Sequence, residues 1–124
     1  MDYRILIVDD IFVNRLLLKE MVKKFCKSCF EAQNGKEALE ILAREEIDVV
    51  LMDIEMPVMN GLETTKYIRE KFTYPKKNIP IIALTAHNPS MLFADFNDTG
   101  FSQLLTKPYT MDSLLNCIKA VCNK

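Results

Sequence analysis

Four short apolar runs constrain this chain more than any other feature: Ile5-Leu6-Ile7-Val8, Val49-Val50-Leu51-Met52, Ile81-Ile82-Ala83-Leu84 and the briefer Leu104-Leu105. The first three are continuous rather than alternating, the pattern of strands covered on both faces. A weaker candidate, Cys29-Phe30-Glu31-Ala32, lies between the first two. Between the runs the spacing turns helical. Val13, Leu17, Met21 and Phe25 recur every four residues, with Leu18 and Val22 widening the stripe. Ala38, Leu39 and Leu42 follow Asn34-Gly35, and Leu62, Thr65, Ile68 and Arg69 follow Asn60-Gly61. Met91 to Phe96 follows Asn88-Pro89-Ser90, and Met111, Leu114, Leu115, Ile118, Val121 and Cys122 keep helical spacing most closely. Strand and helix thus alternate five times. That predicts an α/β chain: a doubly wound five-stranded parallel sheet, flavodoxin-like with order 2-1-3-4-5, wrapped by five helices.

At 124 residues the chain is expected to be one domain, residues 1–124. Lys plus Arg is 16 and Asp plus Glu is 17, a net charge of −1. That balance argues against direct binding to nucleic acid or to an anionic membrane surface. The three glycines, Gly35, Gly61 and Gly100, lie too far apart for a phosphate-cradling loop. The single histidine, His87, excludes zinc sites that need two. The start, Met-Asp-Tyr-Arg, does not read as a signal peptide, and no apolar stretch approaches the ~20 residues of a membrane span. A cytoplasmic setting is expected, with Cys26, Cys29, Cys117 and Cys122 as free thiols. Cys26-Lys27-Ser28-Cys29 closes a helix and enters a strand, whereas a redox pair sits where a helix begins, so it reads as structural.

The polar residues that follow the strands carry the chemistry. The first strand ends in Asp9-Asp10, the third in Asp53, the fourth in Thr85 and the fifth in Lys107. In an open parallel sheet the carboxyl ends line the ligand crevice, deepest where the strand order reverses, here between the first and third strands. Two carboxylates ~4 Å apart repel by about 4 kcal/mol at an effective dielectric of 20, so such a cluster calls for a cation. Lys107 supplies one charge, and Mg²⁺ suits a site of few carboxylates that keeps several waters. Phosphoryl transfer onto a carboxylate uses every group present, because it needs mainly positioning and neutralisation of the phosphoryl oxygens.

The stretches Ile5–Asp10, Leu51-Met52-Asp53-Ile54-Glu55-Met56-Pro57-Val58-Met59-Asn60-Gly61, Pro80–Ala86 and Leu105-Thr106-Lys107-Pro108, in this order, resemble the response-regulator receiver domains of two-component signalling from end to end. The resemblance implies that Asp53 is the phosphoacceptor. It makes Asp10 and Asp53 direct Mg²⁺ ligands, Glu55 a ligand through its backbone carbonyl, and Asp9 an indirect one acting through water. Thr85 becomes the switch hydroxyl, followed by Ala86, and Lys107 the phosphate contact, joined to Pro108 by a cis peptide. Position His87, with Glu55, is implied to tune the lifetime of the aspartyl phosphate. The implied partner is a histidine kinase or a histidine phosphotransfer protein, and the implied role is a phosphorylation switch rather than a metabolic enzyme. A homodimer contact, where one forms, is implied to use the Met91–Phe96 helix, the last strand and the last helix. The segment from Val13 to Leu18 is similar to receivers attached to hybrid sensor kinases.

Two departures stand out. Ile11-Phe12 follow the acid pair where receivers often carry a polar residue, and Leu104 replaces an aromatic that commonly carries the signal outward. Phe12 either presents an apolar contact to a partner helix or folds inward as a cap. Flavodoxin shares the expected fold, but Asp9-Asp10 stands where it would need a Ser/Thr/Gly-rich phosphate loop. A haloacid-dehalogenase-type phosphatase expects D-x-D after its first strand, and a degenerate receiver would lack some of these groups.

Overall fold

The computed structural model describes residues 3–54, 59–73, 75–85 and 100–122. Strand β1 (Tyr3–Val8) leads into helix α1 (Phe12–Val22), which tightens through a 3-10 turn at Lys23–Phe25 into β2 (Cys26–Ala32). Helix α2 (Gly35–Arg44), β3 (Val49–Asp53) and α3 (Gly61–Lys71) follow. A 3-10 turn at Lys76–Asn78 precedes β4 (Ile81–Thr85), and β5 (Gln103–Thr106) and α4 (Met111–Cys122) complete the described elements. The strands are all parallel in the order β2-β1-β3-β4-β5, as the alternation predicts. Four α-helices lie among the described residues; the helix expected over Met91–Phe96 falls outside them, and with it part of the expected dimer face.

The continuous apolar runs are divided between two cores by the alternation of side chains along a strand. Ile5, Ile7, Val49, Leu51, Ile82 and Leu84 pack under α1 and α4, against Leu18, Val22, Leu114 and Ile118. Leu6, Val8, Val50, Met52 and Ile81 pack on the opposite face with Ala38, Leu42 and Ile68 from α2 and α3. Side-chain caps start α2, α3 and α4, whereas α1 begins at Ile11 without one. Asn34 accepts the Glu37 N–H at 2.9 Å, and Asn60 with Glu63 forms a reciprocal capping box. Thr110 and Ser113 exchange the same kind of bonds at the head of α4.

Helix α1 departs from its sequence pattern. The four-residue stripe marks Val13 and Leu17 as core, yet both are exposed, while Arg15, Leu18 and Val22 are buried. Phe12 is 63% exposed, so it does not fold inward as a cap. The physical reason is that Arg15 finds hydrogen-bond partners inside, which turns the apolar residues on either side of it outward.

Gly61 is held by close backbone packing. A Cβ there would stand 2.6 Å from the Asp53 carbonyl oxygen and 2.8 Å from Ile54 Cα, neither of which can swing away. Gly61→Ala is therefore expected to cost about 1–3 kcal/mol of overpacking and to lower the melting temperature by roughly 3–10 °C. Thermal denaturation checks this; a melt indistinguishable from the parent would contradict the close approach.

Candidate functional site

Because the strands run parallel, the carboxyl ends of β1, β3, β4 and β5 lie along one edge of the sheet, and Asp9, Asp10, Asp53, Thr85 and Lys107 gather there. Asp9 immediately follows β1. Its N–H donates to the Ala32 carbonyl at 3.1 Å, extending the ladder to β2 by one rung. Its Oδ1 accepts the Ile11 N–H at 2.9 Å, so the loop turns sharply around the side chain and leaves Asp10 exposed. Asp53 is the last residue of β3. Asp9 and Asp53 are 1% and 4% exposed, and one carboxylate oxygen from each of Asp9, Asp10 and Asp53 lies within 4.8 Å of the others.

At or below that spacing each pair of charges repels by at least about 3 kcal/mol at an effective dielectric of 20. Lys107 Nζ stands 3.8 Å from Asp53 Oδ1 and offsets part of that repulsion. The Lys107 N–H donates to the Thr85 carbonyl at 2.7 Å, tying the end of β5 to the end of β4 beside the buried Thr85 side chain. Among the described residues, Asp9 Oδ2 is buried without a hydrogen-bond partner. A buried carboxylate oxygen left unpaired is costly, and a hard cation with oxygen ligands removes both that cost and the repulsion. The donor set fits a magnesium ion. Tyr109, half-buried nearby, responds to the same negative field: burial first, then the charges of Asp9 and Asp53, push its hydroxyl up to about 12.

The sequence pattern missed a second layer behind the acids. Arg15, on α1, donates from Nη1 to the Asp9 carbonyl at 2.8 Å and from Nε to Glu31 Oε1 at 3.1 Å, with its guanidinium carbon 5.7 Å from the Phe12 ring centroid. Lys19 donates to the other Glu31 oxygen at 3.0 Å. The signal that points to Arg15 is its spacing, three and seven residues before the buried Leu18 and Val22. Burial alone would raise the Glu31 carboxyl, but the hydrogen bonds from Lys19 and Arg15 outweigh it and hold the group below its usual value. A depressed carboxyl contributes stability above the unfolded-state value near 4.3, and that contribution is lost as pH falls through the folded value. Glu31→Gln is expected to flatten the corresponding part of the stability–pH curve in denaturant titrations; an unchanged slope would remove Glu31 from the network's energetics.

Asp9, Asp10, Asp53, Thr85 and Lys107 are thus brought together. Leu104 is half-buried on β5, opposite Ala83, and the exposed Pro108 follows Lys107 through a cis peptide. Glu55, Ala86 and His87 lie outside the described residues. A groove of about 290 Å³, lined by Asp9, Asn14, Leu17, Lys107, Pro108 and Tyr109, opens beside the acids. Ile11, Phe12, Val13, Leu16 and Leu17 form an exposed apolar surface along α1 next to it. A larger concavity of about 500 Å³, around Glu45, Asp48, Lys76 and Pro80, lies away from the Asp9–Asp10–Asp53 group, so size does not locate the chemistry.

The chain is similar to several known proteins. Over 115 residues the chain is 38% identical to Hybrid signal transduction histidine kinase A of Dictyostelium discoideum, covering 91% of the chain and 5% of that protein. Over 119 residues it is 33% identical to Sporulation initiation phosphotransferase F of Bacillus subtilis, covering 96% of the chain and 93% of that protein. The solved structure of response regulator protein TrrA from Thermotoga maritima, in complex with Mg²⁺ and BeF, superposes with a TM-score of 0.83 at 36% identity, covering 96% of this chain and 98% of that one. Residues 5–119 match the family described as Response regulator receiver domain, and the chain belongs to that family of two-component phosphorelay modules.

Proposed function

We propose that this chain accepts a phosphoryl group on Asp53 from a phosphohistidine of a histidine kinase or phosphotransfer protein, in the cytoplasm, and works as a phosphorylation-dependent switch. The observation that carries the reading is the convergence of Asp9, Asp10 and Asp53 within 4.8 Å, with Lys107 3.8 Å from Asp53. Asp10 and Asp53 would hold Mg²⁺ directly, with the Glu55 carbonyl as a third ligand and Asp9 acting through water. When bound, the ion neutralises the carboxylates and the phosphoryl oxygens that approach them.

A carboxylate oxygen of Asp53 attacks phosphorus, the bond from phosphorus to the donor imidazole breaks, and the imidazole departs with the bonding pair. Lys107 follows the displaced charge from the Asp53 oxygen to a phosphoryl oxygen, while the Thr85 hydroxyl donates to another. The chain catalyses only its own phosphorylation and the slow return of the phosphoryl group to water. Incubation with acetyl phosphate and Mg²⁺ is expected to add one phosphoryl mass, and none when the metal is chelated. No gain under either condition would overturn the reading.

The exposed apolar surface of α1 supports a helical donor packing over the acids, since exposed apolar groups gathered beside a reactive site mark contact surfaces. Phe12→Ala is expected to slow transfer from the cognate histidine donor by about tenfold or more, the loss of one buried aromatic anchor, while labelling by acetyl phosphate stays nearly intact. Equal losses with both donors would point to damaged chemistry rather than docking.

A further inference from the structure

Residues three apart on a regular strand point to opposite faces of the sheet. In β2 they do not. Tyr3 pairs with Cys26 but Arg4 pairs with Ser28 and Ile5 with Cys29, so Lys27 is an extra residue, a bulge. The bulge restores Cys26 and Cys29 to the same face, where both pack half-buried against the core under α1 and α4. Each thiol is near enough to the other to shift its titration. β2 is also an edge strand, which leaves the pair reachable from solvent.

We propose that Cys26 and Cys29 form a dithiol site for a trivalent thiophilic metalloid of the arsenous acid class. Two neutral thiols condense with As(OH)₃: two As–O bonds break, two As–S bonds form, and the thiol protons leave with the hydroxyls as two waters. Nothing is oxidised or reduced. A divalent cation suits the place poorly for two reasons. Among the described residues Asp9, Asp10 and Asp53 make the one group of three or more ligating side chains within 4.8 Å, so nothing completes the four-ligand shell of zinc around the thiols. Burial also keeps both thiols protonated, raising Cys26 and pushing Cys29 up to about 12, where burial is joined by the neighbouring Cys26. Divalent ions must expel those protons, whereas the condensation ends with neutral groups on both sides.

The test uses the full chain and phenylarsine oxide, which closes on two thiols with loss of one water. Intact mass is expected to show one phenylarsenic group per chain, stable to excess monothiol and removed by a dithiol. Cys26→Ser and Cys29→Ser should each weaken the adduct at least tenfold, while the Cys117→Ser/Cys122→Ser double variant keeps it. The adduct should raise the parent's melting temperature, because a ligand held by the folded dithiol stabilises the fold. An adduct that survives either single substitution, follows Cys117 and Cys122, or lowers the melting temperature would overturn the site.

Discussion

The Asp53→Asn variant is expected to take up no phosphoryl group from acetyl phosphate and Mg²⁺, under conditions that label the parent to near completion. An amide oxygen is a far weaker nucleophile than a carboxylate. The substitution also removes the charge that faces Lys107 at 3.8 Å and that would help hold the metal. Asn is nearly isosteric with Asp, and Asp53 sits at the end of a fully buried strand, so the fold should survive. Intact-mass measurement on matched samples checks the expectation. A variant labelled as well as the parent would move the acceptor to Asp9 or Asp10, and mapping the modified residue would identify which.

Asp10→Ala should separate metal binding from nucleophilicity. With Asp53 intact, Mg²⁺ affinity is expected to fall at least about tenfold, the loss of one charged oxygen ligand in a site with few. Labelling should slow in parallel and recover partly at high Mg²⁺. The metal-free protein should move the opposite way. Removing one of three crowded charges is expected to stabilise it by about 1 kcal/mol, less than the bare Coulomb figure because Asp10 is exposed. Isothermal titration with Mg²⁺ and thermal denaturation in chelator check both arms, and unchanged Mg²⁺ affinity would exclude Asp10 as a direct ligand.

The strands were legible because burial on both faces leaves continuous apolar runs that no surface element imitates. Ile5–Val8, Val49–Met52 and Ile81–Leu84 mark β1, β3 and β4 to within a residue or two at each end. Once their order is inferred, the acids that follow β1 and β3 must meet, which is why the Asp9–Asp10–Asp53 cluster could be read before any geometry. β2 was harder. The pattern points to Cys29–Ala32, but the strand begins at Cys26, where a 3-10 turn ends the preceding helix early. The apolar stripe of α1 gave the wrong face for Val13 and Leu17, since periodicity cannot tell residues packed on a core from residues set aside for a partner. Arg15 escaped for the complementary reason: its spacing places it on the buried face, but its partners there, the Asp9 carbonyl and Glu31, sixteen residues away, are not written in that spacing.

The bulge at Lys27 has a consequence for how copies of this chain meet one another. An open sheet offers two rims of unpaired backbone groups, and a long flat rim invites a neighbouring strand to add on and propagate into an aggregate. Here one rim is β5, only four residues long. The other is β2, seven residues long, and it would be the hazard. An extra residue twists that rim out of plane near its start, and Lys27 projects a charge there, so an incoming strand meets a broken register and a cation before it can form a second rung. Straightening the rim by deleting Lys27 should therefore show first as concentration-dependent light scattering on warming, ahead of any loss of the fold.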